Sequence, residues 1–189
     1  MKVKVIATVG QNGSGKDEVL KYIHAKYGLP FLATGDIVRE IAGQEEVEPT
    51  RDNLRDISER YFNEFGKGCF VKRAADQICQ RGWKIACISG IRSLDDVMVL
   101  RNRFGKGLIL IRVYISDPRE RYERLHKRGE ERDPHDFDEF LRQDRAEEEL
   151  FRIKAAERCA DYALSNDGTL EELHQAIDHL ISERKLPVT

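Results

Sequence analysis

The densest chemistry in this sequence lies at Gly10-Gln11-Asn12-Gly13-Ser14-Gly15-Lys16-Asp17. Glycines let main-chain N–H groups turn inward around an anion, and a following helix points its positive end the same way. Gly10, Asn12, Gly13, Ser14 and Gly15 would line such a cradle, and Lys16 would reach the β- and γ-phosphates of a nucleoside triphosphate. The flanks agree. Val3 to Val9 is an apolar, β-branched run that suits a buried strand, and Val19, Leu20 and Ile23 follow at helical spacing. The last position of such a loop ordinarily holds Ser or Thr, whose hydroxyl binds Mg²⁺. Here it is Asp17. That carboxylate is either a favourable acid in a helix's first turn or a hard oxygen ligand for Mg²⁺. Repulsion between an acid and bare phosphates favours the metal reading.

A second segment, Ala33-Thr34-Gly35-Asp36-Ile37-Val38-Arg39, resembles the adenylate-kinase-like nucleoside monophosphate kinases, in which Thr-Gly-Asp-x-x-Arg follows the second strand. The resemblance implies that Arg39 pairs with the acceptor's phosphate, a contact suited to a planar guanidinium. It places Asp36 near the metal and the transferring phosphoryl group, and Thr34 near the acceptor. The plainer alternative is a helix start with a polar cap. Arg73, one helix later, is either a second phosphate contact or a solvated arginine. The segment Ile88-Ser89-Gly90-Ile91-Arg92 ends a third apolar run. Relatives carry Asp-Gly there, and that acid supports Mg²⁺. Ser89 in its place shifts the metal role to Asp17 or Asp36. Arg92 leaves the carboxyl end of a strand, where α/β sites form, and is assigned to the acceptor pocket.

Arg119 to Asp133 is dense in arginine and interleaved with glutamate, so spaced ion pairs on a solvated helix account for most of its charges. The stretch from Glu123 through Arg132-Asp133 is also similar to a kinase lid. That likeness implies that Arg128 and Arg132 stabilise charge on the moving phosphoryl group, with Arg124 in reserve, Arg142 and Arg145 assisting and Gly129 as a hinge-like break. Ala160-Asp161 followed by Asn166-x-Gly168-Thr169 resembles the close of dephospho-CoA kinases, which sets Asn166 and Gly168 against the nucleotide base. The plain reading is a turn before a helix whose Thr169-x-x-Glu172 spacing is a capping box.

The elements that must hold these residues alternate. Strands are expected at Val3–Val9, Phe31–Thr34, Lys84–Ser89, Leu108–Ile115 and Tyr162–Ser165. Helices are expected after the phosphate loop, from Asp36, over Thr50–Phe65, Cys69–Arg81 and Leu94–Phe104, from Pro118, over Phe137 to about Arg158, and from Thr169. Alternation argues for a parallel sheet covered on both faces. The family resemblance sharpens this to a P-loop NTPase three-layer α/β/α sandwich, its mostly parallel five-stranded sheet ordered 2-3-1-4-5. One domain of 189 residues is expected, with an acceptor-binding helical region at about 36–82 and a lid at about 124–136.

Composition narrows the partners. A net charge of -2 supports neither a nucleic-acid nor a membrane-surface role. No run approaches the roughly 18 apolar residues of a membrane span, and cytoplasmic residence is expected. Cys69, Cys79, Cys87 and Cys159 lack metal or redox spacing and read as reduced thiols. The sequence therefore points to an ATP-dependent, Mg²⁺-assisted phosphotransferase acting on a small phosphorylated metabolite. A nucleoside or deoxynucleoside monophosphate is the first acceptor and dephospho-CoA the second. A nucleotide-dependent ATPase or switch is the competing class, although the guanine-specific Asn-Lys-x-Asp is absent. A degenerate binding protein is a third reading, kept open by Asp17 and Ser89.

Overall fold

Short aliphatic runs become strands here because their side chains are buried on both faces, a pattern that parallel sheets require. The computed structural model describes residues 3–130, 133–186 and 188. Its strands are β1 (Lys4–Val9), β2 (Phe31–Ala33), β3 (Ile85–Ile91), β4 (Leu108–Tyr114) and β5 (Tyr162–Ser165). They form one sheet in the order β2-β3-β1-β4-β5, parallel at every pairing rather than mostly so. β1 is central, and its Val5, Ile6, Ala7 and Val9 are fully buried.

The helices are α1 (Lys16–Tyr27), α2 (Thr34–Gln44), α3 (Arg51–Phe65), α4 (Cys69–Gln80), α5 (Leu94–Phe104), α6 (Pro118–Arg128), α7 (Phe137–Phe151), α8 (Ile153–Glu157) and α9 (Leu170–Arg184). They sandwich the sheet. On one face, Val19, Leu20 and Ile23 of α1 pack with Leu173, Ile177 and Ile181 of α9. On the other, residues of α2, α4, α5 and α8 form the larger apolar layer. Adjacent strands β1 and β3 thus send their helices, α1 and α5, to opposite faces. That divergence opens a crevice at their carboxyl ends.

Local chemistry sets the ends of these elements. Thr50 caps α3 through Asn53 N, and Thr169 with Glu172 forms the expected capping box on α9. Ser93 with Asp96 forms a second box on α5 that sequence reading passed over. Three expectations change. α2 begins at Thr34 rather than Asp36, and β3 runs on to Ile91. The charged helix expected from Phe137 to about Arg158 is two helices. Arg152 adopts a left-handed backbone (φ 55, ψ 47), ending α7 and turning Ile153 and Ala156 into the core.

Among the described residues no helix is long and apolar enough to cross a membrane. The four cysteines are free. Burial pushes the Cys87 thiol up to about 12.

Candidate active site

The phosphate loop joins β1 to α1, and most of its supports come from elsewhere in the chain. Gly15 precedes α1 with φ 85, and a Cβ there would lie 2.2 Å from Asn166 Nδ2, so both conformation and space demand glycine. That Asn166 amide donates to Ser14 O at 2.9 Å. Arg124 in turn donates to Asn166 O and Gly168 O, at 2.8 and 3.3 Å. Thr8 Oγ1 donates to Lys16 O at 3.0 Å. Ser14 is buried, and its Oγ has no hydrogen-bond partner. A buried, unpartnered hydroxyl in a glycine-rich loop at the start of a helix suits an anion that accepts hydrogen bonds.

Two acid–arginine pairs, each with one buried member, hold the other arm of the loop. Arg121 of α6 is only 3% exposed. It donates to Asn12 O at 3.1 Å and, through both terminal nitrogens, to Asp144 of α7 at 2.7 and 2.9 Å. Asp144 also accepts from Gln11 Nε2 at 3.1 Å. Beneath, Glu157 of α8 is buried beside Arg112 of β4, with Nε 3.3 Å away, and accepts a bond from the Gln11 main chain. Desolvation pushes the Glu157 carboxyl up, and the Arg112 charge offsets part of that shift.

The electrostatic centre is Lys16. Burial lowers its pKa below the ordinary 10.5; Asp17 and Glu147 oppose the shift, while Arg92 and Arg128 reinforce it. The fields of two cations, from the end of β3 and the end of α6, and of two carboxylates therefore act on the Lys16 ammonium. Arg92 lies with its guanidinium 5.9 Å from the Phe151 ring, and its N–H donates to Asp96 at 3.0 Å. Arg128 is held by Asp133, through Nε at 2.9 Å and through its Nη2, and by Glu130 at 3.3 Å.

The other residues singled out by sequence lie as follows. Asp17 is exposed at the start of α1. Asp36 and Arg39 form an exposed ion pair at 2.7 Å. Thr34 Oγ1 makes a long 3.4 Å contact with Gly90 O, and a Cβ on Gly90 (φ 88) would collide with it at 2.0 Å. Arg73 sits over the Tyr61 ring at 5.0 Å and lines a cleft of about 260 Å³ between α2 and α4 with Glu40, Asp76 and Gln77. Arg132 lies outside the described residues. Arg142 and Arg145 are exposed on α7, and Gly129 caps α6 with φ 67. Asn166, expected against the base, spends its side-chain amide on the loop backbone. Arg124, held in reserve as a lid arginine, braces the 166–168 turn that carries Asn166. Among the described residues no group of three or more His, Cys, Asp and Glu converges as a metal site.

Sequence reasoning did not single out Glu147, Asp144 or Glu157, and it left Arg121 among the solvated arginines. One signal was available. Positions 144, 147, 148 and 151 share a helical face, so an apolar Phe151 beside acids marks the face that turns inward.

A five-stranded parallel sheet of this order, with a glycine loop and lysine after its central strand, defines a P-loop kinase-like fold. The chain belongs to the family described as AAA domain, which matches residues 9–142, and to the UPF0200 proteins, being 34% identical over 181 residues to the one from Thermococcus kodakarensis. That alignment covers 95% of this chain and 97% of its relative. In three dimensions the chain is similar to a shikimate kinase from Bacteroides thetaiotaomicron, with TM-score 0.63 and 16% identity, covering 97% of this chain and 99% of that one. It is similar too to a gluconokinase from Sinorhizobium meliloti, with TM-score 0.58 and 17% identity, covering 96% and 95%. At these identities the likeness is one of fold.

Proposed function

We propose that this chain is a kinase that moves the γ-phosphoryl group of ATP to a small-molecule acceptor. One observation carries the reading: Ser14 Oγ, in the glycine loop directly before Lys16 and α1, is buried with no hydrogen-bond partner. An orphaned buried hydroxyl beside a partly desolvated ammonium is costly on its own, and an oligophosphate is the partner that offsets both. The shikimate kinase and gluconokinase of the same fold support a small acceptor rather than a macromolecule.

Within this reading the loop amides and Lys16 hold the donor. Arg92 faces the acceptor from the end of β3, and Arg128 closes from the lid at about 124–136, excluding water that would otherwise take the phosphoryl group. Asp17 is the carboxylate nearest the lysine in sequence, is exposed and acts electrostatically on Lys16, so it fits a magnesium ligand better than Asp36, which is committed to Arg39. Bound Mg²⁺ would supply charge neutralisation across the phosphates.

A nucleoside monophosphate remains the first acceptor, on the Thr34, Asp36 and Arg39 resemblance, with Arg73 and Arg92 as further phosphate contacts. The Asp36–Arg39 pair favours a second reading. An arginine already neutralised by its neighbour leaves less charge for a phosphate, which suits an acceptor hydroxyl such as that of dephospho-CoA. The discriminating experiment incubates the protein with ATP or GTP against monophosphates, dephospho-CoA and sugar alcohols, following products by mass. Stoichiometric transfer to one acceptor class supports the kinase and names its substrate. Hydrolysis indifferent to every acceptor would instead make the protein a nucleotide-dependent switch.

A further inference from the structure

α6 reads in sequence as a solvated, charge-laced helix, yet Arg121 is buried to 3% exposure while Arg119, Arg124 and Arg128 keep contact with solvent. Burying a guanidinium is costly unless its donors are matched, and here they are. One edge meets both oxygens of Asp144, and Nη1 also reaches Asn12 O. The guanidinium lies 5.0 Å from the Phe140 ring of α7, and the Arg121 carbonyl is packed so closely on Gly13 that a Cβ there would sit 2.8 Å from it. Asp144 completes the ring of contacts by accepting from Gln11 Nε2.

The topology gives this network its meaning. α6 ends at Arg128 and α7 begins at Phe137, so the pair bridges the two helices flanking the 129–136 segment. The same two side chains grip Gln11 and Asn12. Stability alone does not call for this arrangement, since well-packed apolar residues usually match or exceed a buried ion pair; what such a pair adds is a fixed register.

We infer that Arg121 and Asp144 are positioning residues that clamp the Gln11–Asn12 arm of the phosphate loop to the base of the lid, so that loop and lid keep one geometry. The role rests on the kinase reading above. Neither residue touches the reacting atoms; both act through the loop backbone.

The test uses three full-length proteins: wild type, Arg121→Lys, and Arg121→Met combined with Asp144→Leu. The double variant replaces the pair with apolar bulk and so keeps the fold where a lone Arg121→Met would strand a buried carboxylate. Three readouts are taken: thermal melting, the affinity for MgATP by calorimetry, and hydrogen exchange at residues 11–13 without ligand. The double variant should melt near wild type, exchange faster at 11–13 but not in β1 or α9, and bind MgATP weaker by on the order of tenfold to a hundredfold. Arg121→Lys keeps the charge but loses the fork, so it should fall between the two. In turnover the loss should appear in KM for ATP, with KM for the acceptor unchanged. A folded double variant with wild-type exchange and wild-type MgATP affinity overturns the clamp. Wild-type protein that gives no heat with MgATP overturns the kinase reading first, and the clamp's purpose with it.

Discussion

Burial strips water from the Lys16 ammonium, and the nearby arginines raise the positive potential around it, so its folded pKa lies below 10.5. The folded state then binds fewer protons than the unfolded state between those two values, and stability rises with pH across that window. At neutral pH the charge is a burden to the ligand-free protein. Lys16→Met should therefore melt higher than wild type at pH 7 while losing transfer by on the order of a hundredfold or more. Paired melting curves and turnover assays decide the matter, and a lower melting temperature would contradict the desolvation argument. At this scale the glycines and Lys16 were legible because main-chain geometry restricts which residues can serve. Glu147 and Asp144 were not. An acid on an amphipathic helix looks the same in sequence whether it faces water or a lysine, and only packing decides.

Between elements, the phosphate loop depends on a loop formed about 150 residues later, through Asn166 Nδ2 and Ser14 O. Asn166 is buried, so Asn166→Ala would leave the Ser14 carbonyl without that donor at a cost of about 1–3 kcal/mol. Denaturant titration should show that loss, with weakened MgATP binding beside it. Unchanged binding would confine Asn166 to a purely structural part. Strand and helix alternation and the capping box at Thr169 were both readable, because each rests on local residue chemistry. The break at Arg152 was not. Neither glycine nor proline marks it, and the left-handed turn follows from Ile153 and Ala156 reaching the core. Likewise the Asn-x-Gly pattern at 166–168 marked a turn before a helix, but not that its asparagine would bond the Ser14 carbonyl.

At the scale of the molecule, two apolar layers clasp one parallel sheet, and Ile6 sits fully buried between β1 and the α1–α9 layer. Ile6→Ala should cost about 2–5 kcal/mol, read as a lower denaturant midpoint with an unchanged slope. A loss well under 1 kcal/mol would mean that the layer collapses to fill the gap. The strand order itself was expected from the family resemblance rather than from periodicity, since alternating elements fix a parallel sheet without fixing its permutation.

That permutation bears on how the protein is made. β1 leaves the ribosome before both of its neighbours, Ile85–Ile91 and Leu108–Tyr114, which lie about 80 and about 100 residues behind it. At about 5–20 residues per second of translation, the central strand waits for several seconds without either partner. Throughout that interval the nascent chain carries an unpaired, β-prone Val5-Ile6-Ala7-Thr8-Val9, a stretch suited to chaperone capture. The Asn166 bond that braces the glycine loop can form only after both of those strands, once residue 166 has emerged.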